Sequence, residues 1–293
     1  MITVVAAPPY ASVQDLGRIG LRASGIPPSG VADRATALAL NKLLGNAPDA
    51  AMLEWAVAGG TLRFDADVTF ALGGATVEAS ISGEVVQPYS PIRARATDEL
   101  HVERLASGRF LYIAVRGGID VPVVLGSRST LMSAGFGGHE GRRVRKGDVL
   151  HVGREYRSGS VHPVSDVNAE NRAHSPRLDD NREPILIMRG PQAALFDADA
   201  WSTFLGTLYI ISRASDRTGY RLDGPPLSHA AAAALPSEPT CVGAIQVPNG
   251  GAPIVLMQDG PTVGGYPKIA VIRSSALSRF AQKVPGDGVR FLL

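Results

Sequence analysis

Short apolar stretches of four to seven residues recur about every ten positions, separated by glycine, proline and small polar residues. This pattern predicts strands joined by turns rather than amphipathic helices. Expected strands lie at 68–72, 76–81, 109–115, 149–152, 185–189, 208–212, 244–247, 254–257 and 269–272, with Gly73-Gly74 as a hairpin turn between the first two. A helical period stands out over 32–44, where Ala35, Leu38, Ala39 and Leu43 form an apolar face and Gly45 ends the helix. A second helix is expected from Ser274 as its N-cap, burying Leu277 and Phe280 and stopping at Pro285. Shorter helices are expected at 191–197 and 199–204. The balance predicts a mainly β chain with a few short helices.

Length divides this pattern in two. At 293 residues the chain exceeds one ordinary domain, and 154–184 is poor in large apolar residues, so it reads as a polar linker or loop. The expected organisation is a β unit over 1–153, the linker, and a β unit over 185–293. Similar phrases close both halves, Val-Arg-Lys-Gly-Asp148 and Lys283-Val-Pro-Gly-Asp287, a weak hint of two related units.

Composition narrows the function. Hydrophobic residues at 45% and charged residues at 19% are those of an ordinary globular protein. The net charge is +2, and the cluster Arg142, Arg143, Arg145, Lys146 lacks interleaved aromatics, so nucleic acid is not expected and the cluster reads as a solvated hairpin. No apolar run is long enough for a membrane span, no basic residue precedes the first apolar stretch as in a secretory signal, and the single Cys241 excludes an internal disulfide. A cytoplasmic location is the default. Six scattered histidines give no metal site, and Walker, dinucleotide, nucleophile-elbow and zincin motifs are absent.

The most site-like stretch runs from Gln246 to Lys268. There Gln258, Asp259, Thr262, Tyr266 and Lys268 follow the apolar run 253–257 amid glycines, the setting of a strand end and a ligand-binding turn. Gly264 and Gly265 allow positive backbone dihedrals or the close approach of another group, though a tight turn with a solvated lysine would use the same residues. Arg128, in Leu125-Gly-Ser-Arg-Ser-Thr130, and Arg217, in Ser215-Asp-Arg-Thr-Gly-Tyr-Arg221, suit recognition of carboxylate or phosphate, or tie loops together. Asp33 falls in the first turn of the helix, where it complements the helix dipole or contributes to a site. Glu54 interrupts an apolar run and must be exposed on a strand face or paired.

These segments, with Gly25-Ile-Pro-Pro-Ser-Gly30, Gly117-Gly-Ile-Asp-Val-Pro122, Gly135-Phe-Gly-Gly138 and Gly264-Gly-Tyr-Pro-Lys268, resemble the allophanate hydrolase subunit 2 family. That family is also described as the KipA family, the 5-oxoprolinase C-subunit family or the biotin-dependent carboxyltransferase family. The resemblance covers nearly the whole chain and implies two cyclophilin-like β-barrel subdomains. It also implies a subunit 1 (KipI-like) partner and a third catalytic subunit, in an ATP-dependent amidohydrolase that opens a lactam or cleaves a urea-like amide. ATP would be bound with or by the partners. On that reading Lys268, Asp259, Gln246 and Arg217 line one pocket for a small anionic amide substrate: the cations neutralise developing charge, and Asp259 orients water or acts as base. Tyr266, Thr262, Gln258, Arg128, Asp33 and Glu54 complete the candidate binding residues. The alternatives are a urea carboxylase-type carboxyltransferase, with biotin on another chain, and a KipA-like regulator that antagonises a kinase inhibitor. The alanine tract at 230–234 replaces a more polar stretch, so a loop there competes with helix propensity.

Overall fold

The computed structural model describes residues 1–56, 59–154, 183–230 and 235–293. Most of the expected linker and most of the alanine tract lie outside the described residues. The chain forms two compact units, one of residues 1–18 and 29–178, the other of residues 19–28 and 179–293. Ile19–Pro28 thus cluster with the second unit rather than with the rest of 1–153. Arg22 explains this: its Nε donates to the Thr240 carbonyl (3.1 Å) and its Nη2 to Thr240 Oγ1 (2.7 Å) and the Pro261 carbonyl (3.0 Å).

Each unit is built on one nearly closed, barrel-like sheet, and the described residues include three α-helices. In the first unit the 17-residue strand Glu99–Val115 organises the sheet. Along one edge it pairs with Gly60–Phe64 near its start and with Met52–Ala56 near its end, and its other edge carries Val68–Ile81. Trp55, Phe64, Phe70, Leu72, Leu100, Leu111 and Ile113 are buried inside. The expected hairpin at Gly73-Gly74 is not formed, because Val68–Ile81 runs through it as one strand. A Cβ on Gly73 would lie 2.8 Å from the Tyr89 ring, and Gly74 N donates to Tyr89 Oη (2.9 Å). These glycines admit a side chain rather than turn the chain.

The helix Arg34–Leu44 starts one residue after Asp33, whose carboxylate accepts from Thr36 N (3.0 Å) and Thr36 Oγ1 (2.7 Å), and ends at Gly45 in the left-handed region. Its buried stripe is Thr36, Ala37, Leu40, Asn41, Leu43 and Leu44; Ala35 is exposed and Leu38 and Ala39 are half-buried. The apolar face expected from sequence is therefore rotated, because two polar residues face inward with their needs met locally. Asp33 serves Thr36, and the Pro48 and Ala50 carbonyls take the Asn41 amide.

In the second unit an eight-stranded sheet takes in Ile185–Arg189, Ala244–Gln246, Ile254–Leu256 and Lys268–Ile272 as neighbours or near neighbours, and Glu238–Pro239 pairs separately with Val263–Gly264. Phe204 stacks on Phe291 at 4.9 Å in its core. The helix Ser274–Ala281 is capped by Arg273 without a side-chain bond, so Ser274 is its first residue rather than its cap; Phe280 is buried and Leu277 half-buried.

The two closing phrases fold alike. Asp148 Oδ2 accepts from Arg145 N (2.7 Å) while Asp148 N donates to the Arg145 carbonyl (3.1 Å), and Asp287 does the same with Val284 (2.9 and 3.0 Å). The same turn occurs at Asp98 with Arg95, so it marks a common way into a strand rather than a duplication. The Arg142 guanidinium also grips Asp148 (2.7 and 3.0 Å) and holds its carboxyl below the usual carboxylate range, so the basic cluster is partly ion-paired. A carboxyl lowered on folding adds stability above its unfolded value and loses it as pH falls through the folded one. Asp148→Asn is expected to cost about 1–3 kcal/mol at neutral pH and, in urea melts at successive pH values, to flatten the acid limb below about pH 4.

Candidate functional site

Strand pairing builds the site at the end of the second unit's sheet. Ala244–Gln246 runs antiparallel to Lys268–Ile272, and past a one-residue irregularity Gln246 lies opposite Lys268. Cross-strand partners share a face, so a primary amide and an ammonium stand side by side, both almost fully buried. The Lys268 Nζ forms an ion pair with Glu238 Oε1. Gln192 ties the pair down: its Nε2 donates to the same Glu238 oxygen (2.6 Å), and its Oε1 accepts from Lys268 N (3.2 Å). The Gly190-Pro-Gln192 turn reaches this position because Gly190 has no side chain; a Cβ there would lie 2.1 Å from the Lys268 carbonyl oxygen.

The Lys268 ammonium holds the Glu238 carboxyl below its usual range, so Glu238 is ionised at neutral pH. The Glu238 side chain is 38% exposed against 4% for Lys268, so the carboxylate lies towards the surface and the ammonium inside. Gln246 Nε2 is buried with no hydrogen-bond partner. A Cβ on Gly264 would lie 2.7 Å from this nitrogen, and one on Gly265 2.9 Å from the Leu235 carbonyl. The paired glycines thus serve close approach. A buried donor left unspent is costly, and this one stands beside the Lys268 ammonium across the strand pair.

Arg217 and Asp259 form a second cluster. The guanidinium makes a two-pronged pair with the carboxylate, Nε to Oδ2 at 2.8 Å and Nη2 to Oδ1 at 3.1 Å, with side chains only 6% and 10% exposed. Both Asp259 oxygens are occupied, which suits a fastener better than a base. Thr262 is buried and its carbonyl accepts from Thr240 N (3.0 Å), Gln258 is buried in the turn before Asp259, and Tyr266 stands 47% exposed.

The remaining candidates lie in the first unit. Glu54 is fully buried and paired: its Oε2 accepts from Ala32 N (2.7 Å) and from Tyr112 Oη (2.8 Å), and the same hydroxyl accepts from Asp33 N (2.8 Å). Burial, then the Glu54 charge, push the Tyr112 phenol well up, so it stays a donor. Asp33 and Glu54 therefore hold the helix start onto the sheet. Arg128 donates through Nε to the Val121 carbonyl (3.0 Å) and lines a cavity.

Glu238 and Gln192 were not among the residues expected from sequence. Glu238 opens the short strand Glu238–Pro239, 30 positions from the lysine it meets, and its one local signal is an acid flanked by prolines. No group of three or more His, Cys, Asp or Glu residues that could hold a metal ion occurs among the described residues, and no helix there is long and apolar enough to cross a membrane.

With this geometry in hand, similarity to known proteins is extensive. The chain is 36% identical over 292 residues to the C subunit of 5-oxoprolinase from Escherichia coli (strain K12), covering 100% of this chain and 91% of the relative. It is 32% identical over 291 residues to the corresponding 5-oxoprolinase protein of Haemophilus influenzae, covering 99% and 90%. Among solved structures, the Kluyveromyces lactis urea carboxylase superposes with a TM-score of 0.91 at 30% identity, over 99% of this chain but only 27% of that one. The family described as carboxyltransferase domain, subdomain A and B, matches residues 24–293, and the chain belongs to that family.

Proposed function

We propose that this chain is the C-type component of an ATP-dependent amidohydrolase that opens the lactam of 5-oxoproline, in a complex with a subunit 1 (KipI-like) protein and a third subunit. The observation that carries the reading is the unspent Gln246 donor beside the Lys268–Glu238 pair, a centre suited to an amide carbonyl. The 5-oxoprolinase relatives, of nearly the same length, support the choice of substrate. As the lactam carbonyl is attacked its oxygen gains charge, which Gln246 Nε2 and Lys268 Nζ stabilise. Glu238, ionised and partly exposed, accepts the proton of the attacking water and returns it to the ring nitrogen as the C–N bond breaks, and Gln192 holds it against Lys268. Arg217 and Asp259 brace the turn that follows Ile254–Leu256.

ATP supplies activation of the carbonyl oxygen and is assigned to the partners. Two of the three described helices, Arg34–Leu44 and Ala198–Gly206, carry their own Asp33 and Asp197 carboxylates at their N-termini, which does not fit a bound phosphate there. A second reading, the carboxyltransferase step of a urea carboxylase with biotin on another chain, draws on the superposition with Kluyveromyces lactis urea carboxylase; there the same donors would hold a carboxylated amide.

The two separate in one assay. The chain co-purified with its subunit 1-type partner and the third subunit is given 5-oxoproline, urea and allophanate in parallel, with and without avidin. Avidin-insensitive turnover of 5-oxoproline is expected; avidin-sensitive, bicarbonate-dependent turnover of urea would overturn the proposal.

A further inference from the structure

The first unit contains a cavity of about 350 Å³ that the proposed reaction does not use. Its floor is main chain. Gly117 and Gly153 meet so closely that a Cβ on Gly117 would lie 2.3 Å from the Gly153 carbonyl oxygen, and both Gly117 and Gly118 have positive φ. The amide of Asn46 pins this floor, accepting from Gly117 N (2.8 Å) and donating to the Val115 carbonyl (2.8 Å). Asn46 directly follows Gly45, the cap of Arg34–Leu44, so that helix ends at the cavity wall and brings its partial negative charge there.

Charged side chains of both signs line the space: Arg128 and Arg154, Asp49 and Asp120. Their donors and acceptors are largely unspent. Arg128 is held through Nε, and its terminal nitrogen makes only a long ion pair with Asp120, at 3.8 Å and beyond hydrogen-bond reach. Asp49 and Arg154 are exposed and carry no hydrogen bond or ion pair among the described residues. Anchored at one nitrogen, Arg128 presents its remaining donors in a fixed plane, the geometry that reads a carboxylate.

We propose that this cavity binds an α-amino acid with an acidic side chain, its carboxylates on Arg128 and Arg154 and its ammonium on Asp49 and Asp120 beside the helix end. The charges select this class. A phosphate or a dicarboxylate without an amine would face two aspartates and the negative helix end with nothing to offset them, and a polyamine would face two guanidinium groups. A single-carboxylate amino acid would leave Arg154 unmatched. The volume lies within the range of small-molecule sites.

Isothermal titration of the full-length chain with L-glutamate, glycine and succinate tests the proposal, and it does not depend on catalysis. L-Glutamate is expected to bind with a Kd on the order of 10 μM to 1 mM, and glycine and succinate at least about tenfold more weakly. Arg128→Gln and Asp49→Asn are each expected to weaken L-glutamate by about tenfold or more, while Lys268→Met leaves it unchanged. Asp49 is exposed and unbonded, so its variant folds whatever Arg128→Gln does to the Val121 contact. No binding of L-glutamate, equal binding of succinate, unchanged affinity in Asp49→Asn, or loss of binding in Lys268→Met would each overturn the assignment.

Discussion

Lys268→Met is expected to lower turnover of the assembled enzyme by roughly 10²–10³-fold, the usual effect of removing a donor aimed at a developing oxyanion. Methionine nearly matches the lysine side chain in length and fills its buried space, so the sheet around Gln246 keeps its packing. The Glu238 carboxylate left behind is 38% exposed and stays hydrated, which limits the loss of stability to about 1 kcal/mol. Co-purification with the partners and a urea midpoint lowered by no more than that loss would establish that the fall in turnover lies in chemistry. Unchanged turnover in an intact complex would remove Lys268 from the mechanism. The pH profile carries a related sign: because Lys268 holds the Glu238 carboxyl low, a base at Glu238 stays ionised into acid, and the acid limb of kcat is expected below the usual carboxylate range. In Lys268→Met the residual activity is expected to lose its acid limb at a higher pH.

Glu54→Ala is expected to cost roughly 3–4 kcal/mol with no direct effect on chemistry. Two donors, Ala32 N and Tyr112 Oη, would lose their acceptor in a site with no exposure, at about 1–3 kcal/mol for each buried group, and a cavity would form beneath the helix start. Glu54→Gln keeps the shape and one acceptor oxygen, and is expected to recover more than half of the loss. Urea denaturation of the isolated chain measures both, read as a shift in midpoint at constant slope. A shift below about 1 kcal/mol for Glu54→Ala would show that the carboxylate is not what fastens Arg34–Leu44 to the sheet.

The strands were legible in sequence where apolar runs were short and cleanly bounded. Val149–Val152 and Ile185–Arg189 lie where the pattern puts them, and Gly45 ends its helix as expected. The pattern misled where a residue serves a distant partner. Gly73-Gly74 reads locally as a turn, but its smallness admits Tyr89. Ala35, Leu38 and Ala39 read as part of the buried helix face, but Asp33 and the Asn41 contacts to carbonyls near position 50 let Thr36 and Asn41 face inward instead. The candidate residues of the 246–268 run and Arg217 all fall in the second unit, yet which charges pair was hidden: Arg217 meets Asp259 across 42 positions and Lys268 meets Glu238 across 30. Such pairings follow from sheet order, which single-strand patterns do not encode. Glu54 is the intermediate case, since a carboxylate in an apolar run had to be exposed or paired, and the structure pairs it.

The product balance of the reconstituted complex, supplied with 5-oxoproline and ATP, bears on whether the Gln246–Lys268–Glu238 centre opens a lactam. Glutamate and ADP appearing in equal amounts, unaffected by avidin and abolished together by Lys268→Met, is the predicted result. ATP hydrolysis that yields no glutamate, or glutamate release undiminished by Lys268→Met, would contradict it.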